Sequence, residues 1–182
     1  MPRDGELETA VTLILADAAP ELAQAHDELY PERVGEQIPL SLTLLYPFAP
    51  QATLKETHLE ALRSFFASRP PLTFELGRIA QWEGGGAVYG VPEPDEELRA
   101  TMRALWRRFP EYPPYGGADD PPPHASLTLD GGDDPEATRA RAEQRLEGLL
   151  PVRFDVIEAS LMEEYEPDHW RVTHTFSFGQ GH

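Results

Sequence analysis

The sequence predicts an α+β fold of two similar lobes whose antiparallel sheets line a central cleft. Three observations lead there. Short apolar or β-branched runs alternate with amphipathic stretches of helical spacing, glycine and proline punctuate the junctions, and after an opening strand the order helix, short strand, helix, hairpin occurs twice. The distance from the short strand to the following hairpin is 31 positions in the first half (Ser41 to Leu72) and 28 in the second (His124 to Val152). The halves therefore correspond over about residues 19–91 and 94–178, within one domain spanning 1–182. A duplicated unit sets two equivalent strands face to face, and the crevice between them is a natural ligand site.

Each element has a local cause. Residues 9–16 (TAVTLILA) form a nearly continuous apolar, β-branched run, the pattern of a central strand covered on both faces. Leu22, Ala25, Leu29 and Tyr30 recur at helical spacing behind Pro20 and predict a helix over 20–33. Residues 41–46 (SLTLLY) read as a strand ending at Pro47. Thr53 to Glu56 then reads as a capping box opening a helix to about Arg69, where two prolines stop it. Strands at 72–80 and 87–91 flank a glycine turn at 83–86 that lacks the spacing of a phosphate cradle. Residues 94–109 form a helix with acids first and arginines last, matching the macrodipole. After a proline-rich connector, 110–123, come a strand at 124–129 (HASLTL) and a helix capped by Asp134 and Pro135 running to about 150. Strands at 152–162 and 169–178 close the chain around an acidic turn.

Composition narrows the partners. The 40% hydrophobic and 26% charged fractions are ordinary for a globular chain, so the 19 prolines punctuate structure. The absence of cysteine excludes a disulfide framework and a thiolate metal site. Fifteen basic against 32 acidic side chains, a net charge of −17, oppose binding along an extended polyanion. A nucleic-acid partner would be a small nucleotide or an RNA end gripped in a pocket. The first residues lack the apolar run of a signal peptide and residues 10–19 are too short to span a bilayer, so the cytoplasm, no membrane and a monomer are the expectations.

The chemistry centres on Pro123-His124-Ala125-Ser126-Leu127. On a strand His124 and Ser126 project from one face. They pair a proton-transfer group of near-neutral pKa with a hydroxyl donor for a phosphate oxygen, which suits phosphoryl chemistry without a metal or cofactor. No cluster of acids and histidines has metal-ligand spacing. In the first half, Pro39-Leu40-Ser41-Leu42-Thr43-Leu44-Leu45-Tyr46-Pro47-Phe48 resembles the first motif of the two-histidine (2H) phosphoesterase and 2′-5′ RNA ligase-like superfamily. The stretch from Phe109 through Gly117 to His124 is similar to the approach to the second motif. The resemblance implies a two-lobed α+β fold with two His-x-Thr/Ser motifs on equivalent strands. One histidine activates the attacking hydroxyl, the other protonates the leaving ribose oxygen, and the hydroxyls bind phosphate.

Carried over residue by residue, the resemblance makes His124 catalytic and Ser126 and Thr43 phosphate-binding, with Ser41 standing where the first histidine belongs. An alternative alignment through the repeated Ser-Leu-Thr-Leu at 41 and 126 opposes Pro39 to His124 and supplies no second histidine either. Serine cannot relay a proton at neutral pH but can donate a hydrogen bond. Three readings stay open: a metal-independent phosphoesterase for 2′,3′-cyclic or 2′-5′ linked nucleotides with impaired catalysis, a degenerate nucleotide- or phosphate-binding module, and an acidic protein-interaction scaffold. Tyr115, in a Pro/Gly loop beside His124, and Tyr46 are candidates to stack a base, while Trp82 and Phe48 read as packing. His26 and His58 read as helix-surface residues, His169 as a turn residue and His182 as the chain end. His174 shares strand parity with Val172, Phe176 and Phe178 and so reads as a core or cleft histidine. Arg99, Arg103 and Arg107 recur every four residues and read as a solvated face paired with Asp95 and other acids.

Overall fold

The computed structural model describes residues 5–179. Two four-stranded antiparallel sheets are built from β1 (Thr9–Ile14), β2 (Ser41–Leu45), β3 (Leu72–Gln81), β4 (Val88–Glu93), β5 (Ala125–Ser126), β6 (Val152–Val156), β7 (Glu158–Glu166) and β8 (His169–Ser177). One sheet has the order β2-β1-β7-β8 and the other β5-β4-β3-β6. The helices are α1 (Pro20–Leu29), α2 (Pro31–Glu36), α3 (Glu56–Ala67), α4 (Glu96–Arg108) and α5 (Pro135–Leu146). The α+β class and the pair of antiparallel sheets predicted from sequence are those observed. The strands that carry the two motifs, β2 and β5, are each the edge of a sheet, and these edges approach one another. Each half of the chain lends its hairpin to the sheet holding the other half's motif strand.

The interior follows from strand alternation. On β1, Val11 and Leu13 point to the buried side with Leu42, Leu44, Leu161 and Phe176, under α1 and α3. The opposite face, carrying Ala10 and Thr12, looks into the space between the sheets. In the second sheet Phe74 and Phe154 sit opposite each other in register with ring centroids 5.7 Å apart and pin β3 to β6. Among the described residues no helix is long and apolar enough to cross a membrane.

Four local expectations are corrected. The helix expected over 20–33 is two helices, because Pro31 has no N–H to continue the ladder and starts a new helix at its first position. The strand expected over 152–162 divides at Ile157, which is 67% exposed; β6 pairs with β3, whereas β7 crosses to pair with β1. The change from half-buried alternation to a run of buried residues at Ala159 marks this crossing. Of the strand expected over 124–129 only Ala125 and Ser126 pair with β4, since the amides of Leu127 and Thr128 both turn to the Val88 carbonyl. The Thr128 hydroxyl, in turn, accepts from the Val88 N–H at 2.9 Å and replaces the ladder with a side-chain bond. Finally, Thr53 does not cap α3. Its hydroxyl bonds the Pro50 carbonyl, and the helix opens after Lys55, whose N–H donates to His58 Nδ1 at 2.9 Å. The cap expected of Asp134 is present: its carboxylate accepts from the Ala137 N–H at 3.0 Å.

Candidate functional site

Between the facing edges lies a cavity of about 370 Å³ whose walls include Ser41, Thr43, Tyr46, Tyr115, His124 and Ser126. The structure thus brings together all six residues that the sequence singles out for chemistry. Ser41 and Thr43 come from β2, in register with Ile14 and Thr12 of β1. Ser126 of β5 pairs with Tyr89, and His124 precedes it on the same face while Ala125 and Leu127 are buried behind. The hydroxyls of Ser41, Thr43 and Ser126 hydrogen-bond to no other described residue, so each is available to a ligand.

His124 is fixed in orientation. Its Nδ1 lies 2.9 Å from the Pro122 carbonyl, an acceptor only, so Nδ1 carries the proton and donates it there. This leaves Nε2 as the acceptor, 3.5 Å from the Tyr115 hydroxyl. Trp82, stacked on Tyr89, meets the imidazole edge-on at 5.0 Å. Trp82 therefore packs, as expected, but against the candidate catalytic ring. Burial pulls the His124 pKa below its ordinary value, the bond to Pro122 opposes that shift, and the positive charge of Arg33 adds to it. His124 is therefore neutral at pH 7 and poised to accept a proton.

The aromatic wall is held by backbone. Tyr115 sits in the left-handed region at φ 51°, a strained conformation for an aromatic residue worth about 1–3 kcal/mol, and its N–H donates to the Tyr46 carbonyl at 2.6 Å. The connector bearing it is tied to α4 by a two-point pair of Arg103 with Asp120 at 2.6 and 2.8 Å. The indole N–H of Trp106 on α4 donates to the Leu44 carbonyl at 2.8 Å, so α4 braces both β2 and the connector that leads to His124. Tyr46 lies 6.3 Å, centroid to centroid, from both Tyr115 and Trp170 and donates its hydroxyl to Glu8. Loss of hydration raises the pKa of both tyrosines, that of Tyr115 to about 12, so both hydroxyls stay protonated.

Sequence reasoning misses part of the lining: Arg33 on α2, Trp170 on β8, and the acids Glu8, Glu36, Glu164 and Asp168. In sequence Arg33 reads as the end of a helix, and only the Pro31 break turns it toward the cavity. Trp170 is hidden by a β-bulge. Leu161 pairs with His174 but Met162 pairs with Val172, so Thr173 is extra and the faces invert across it. Trp170 consequently faces the cavity, while His174 shares a face with Phe176, against which it stacks at 6.5 Å. The shared face with Phe176 holds, but the bulge puts Val172 on the other face, and His174 lies outside the cavity lining, half-exposed beside Glu163. Glu164 has a structural part, its two oxygens accepting the N–H groups of Glu8 and Asp168 at 2.6 and 3.1 Å.

The remaining candidates fall elsewhere. Phe48 is buried in a ring cluster with Phe109 and Tyr112, and His58, half-buried at the start of α3, packs against it from the surface side. His169 stands at the turn near Glu166, and His182 lies outside the described residues. Arg99 pairs with Asp95 at 2.6 Å, as the solvated-face reading expects. No group of three or more His, Cys, Asp or Glu among the described residues could hold a metal ion.

His26, expected on the helix surface, is instead fully buried, with Nδ1 bonded to Asp27 at 2.9 Å and Nε2 without a partner among the described residues. Burial lowers its pKa, the bond to Asp27 opposes this, and Arg33 lowers it further. The unfolded chain then takes up protons near pH 6.5 that the folded chain refuses at both His26 and His124, so stability falls as pH drops below about 6.5. Thermal unfolding at pH 7.5 and 5.5 should show a fall in Tm on acidification that His26→Leu reduces. An unchanged pH slope in that variant would count against the buried neutral ring.

Residues 14–168 match the family model described as the 2′-5′ RNA ligase superfamily. A search of curated proteins returns no match. Among solved structures, E. coli LigT complexed with NADP⁺ aligns with a TM-score of 0.62 at 16% identity, covering 97% of this chain and 99% of that one. The complex of E. coli LigT with 3′-AMP aligns at 0.61 and 15%, covering 96% and 99%. TT0787 of Thermus thermophilus aligns at 0.59 and 18%, covering 96% and 100%. At these identities the likeness is one of fold.

Proposed function

The chain belongs to the 2′-5′ RNA ligase superfamily, and from that premise we propose that its inter-sheet cavity binds a small phosphoester nucleotide, a 2′,3′-cyclic phosphate or 2′-5′ linked nucleotide, and turns it over slowly with His124 as the one proton-transfer group. The observation that carries this reading is the convergence, on one cavity, of a neutral imidazole with an unprotonated Nε2 and three hydroxyls without partners among the described residues. His124 takes a proton at Nε2 from the attacking water, and the hydroxyls of Thr43, Ser126 and Ser41 hold the phosphate oxygens. With Ser41 at the first motif the complementary proton transfer falls to water. Tyr115 and Tyr46 offer ring faces to a base. That E. coli LigT has been solved with NADP⁺, 3′-AMP and ATP supports a nucleotide-sized ligand.

Calorimetric titration with 2′,3′-cyclic and linear nucleotides, followed by a turnover assay, tests the reading. The expected result is binding with slow hydrolysis that His124→Ala lowers by about 10²–10⁴-fold. Binding without turnover would leave a nucleotide-binding module, and no binding to any member of the panel would sink the reading in favour of an acidic scaffold.

A further inference from the structure

Resting on the phosphoester reading of this cavity, we infer that Arg33 is its anion anchor and that one cation among four carboxylates makes the site select a singly charged phosphodiester over a doubly charged phosphomonoester. Arg33 is the one lysine or arginine among the residues lining the cavity. Its Nη1 is buried and has no hydrogen-bond partner among the described residues, and Arg33 makes no ion pair with any described carboxylate, although the chain carries 32 acids. The guanidinium lies over the Tyr30 ring, its carbon 4.8 Å from the centroid, which holds the group in place without satisfying that nitrogen. Leaving a buried guanidinium nitrogen unpaired is costly, and a phosphate oxygen is the partner its planar fork fits. Its positive charge reaches the same groups a bound phosphate would touch, since it acts on both His124 and Tyr115.

The rest of the lining sets the charge limit. Glu8, Glu36, Glu164 and Asp168 share the cavity with Arg33. Two are committed: Glu8 accepts the Tyr46 hydroxyl and Glu164 accepts two backbone N–H groups. The carboxylates of Glu36 and Asp168 make no hydrogen bond or ion pair with another described residue, and they crowd each other electrostatically. Arg33 balances one negative charge on a ligand; a second finds neutral hydroxyls and four carboxylates but no further lysine or arginine in the lining. The substrate of a cyclic phosphodiester hydrolysis carries one charge and its product close to two at neutral pH, so the same imbalance favours entry of the one and departure of the other.

Calorimetry on the full chain with adenosine 2′,3′-cyclic monophosphate, adenosine 2′- and 3′-monophosphates and inorganic phosphate separates the claims. Wild type should prefer the cyclic diester to either monoester by about tenfold or more, the size expected of one extra unit charge near carboxylates at an effective dielectric of about 20. Arg33→Gln, which removes the charge and keeps a hydrogen-bonding amide, should lose about 10- to 100-fold in affinity for the diester with little change in Tm, and Arg33→Lys should recover only part. Glu36→Gln combined with Asp168→Asn should narrow the gap between diester and monoester. If Arg33→Gln binds the diester as wild type does, the anchor is wrong while the phosphoester reading stands. A wild-type preference for monoesters overturns the charge selection. Failure of wild type to bind any of the four probes overturns the phosphoester reading and the anchor together.

Discussion

Ser41→His is expected to create or raise cyclic phosphodiester hydrolysis by about 10²–10⁴-fold, the contribution of one positioned proton-transfer group. The expectation rests on position. Ser41 lies on an edge strand, two residues before Thr43 and on the same face, and both line the cavity that His124 and Ser126 enter from the opposing edge. An imidazole at 41 would extend into a space of about 370 Å³ rather than into the core, although the serine itself is 5% exposed. His124 is already the acceptor at Nε2, so a second imidazole would supply the complementary proton transfer. His124→Ala in the Ser41→His background should abolish the gain. Steady-state hydrolysis of 2′,3′-cyclic nucleotides by the single and double variants measures both effects. A gain of only a few fold would point to misplacement, since an error of about 1 Å costs roughly 10²-fold. A folded Ser41→His protein that binds the cyclic nucleotide without His124-dependent turnover would show that Ser41 does not occupy the lost catalytic position.

The parts of the molecule legible in sequence are those in which local chemistry and tertiary position agree. β1 is central because TAVTLI is apolar or β-branched on both faces, and His124 and Ser126 share a face because strand side chains alternate with a period of two. What is not legible depends on partners distant in the chain. The bulge at Thr173 inverts the faces of β8, so parity counted from Phe176 assigns Trp170 to the wrong side and draws attention to His174 instead. Ile157 looks like one more apolar strand residue, yet it is where the chain leaves one sheet for the other. His26 lies at helical spacing from Leu22 and Leu29, and burial at that position reflects packing that its polarity conceals. Arg33 carries the largest consequence. Without the α1–α2 break at Pro31 it reads as one more helix-terminal cation.

Gly131→Ala should destabilise the fold by about 1–3 kcal/mol, the usual cost of forcing atoms into filled space, and should displace the segment that carries His124. A Cβ at Gly131 would overlap the Gly85 carbonyl oxygen and approach Pro135 Cβ at 3.1 Å. Gly85 belongs to the turn of the β3–β4 hairpin, and Gly131 follows the short β5 strand, so this backbone-on-backbone contact fits the hairpin tip against the loop leaving the second motif. Neither partner yields easily, because Gly85 has φ +79° and itself abuts Pro135, the first residue of α5. The glycine-rich turn that sequence excluded as a phosphate cradle is thus a packing surface. Gly35, where a Cβ meets nothing within 4 Å and φ is ordinary, is the control: as a helix residue, Gly35→Ala should stabilise by about 0.5–1 kcal/mol. Chemical denaturation of the two variants reads the stability terms, and the nucleotide turnover of Gly131→Ala reads the displacement. If Gly131→Ala unfolds at the wild-type denaturant midpoint, the close approach of the hairpin tip to the second-motif loop is not a feature of the folded protein.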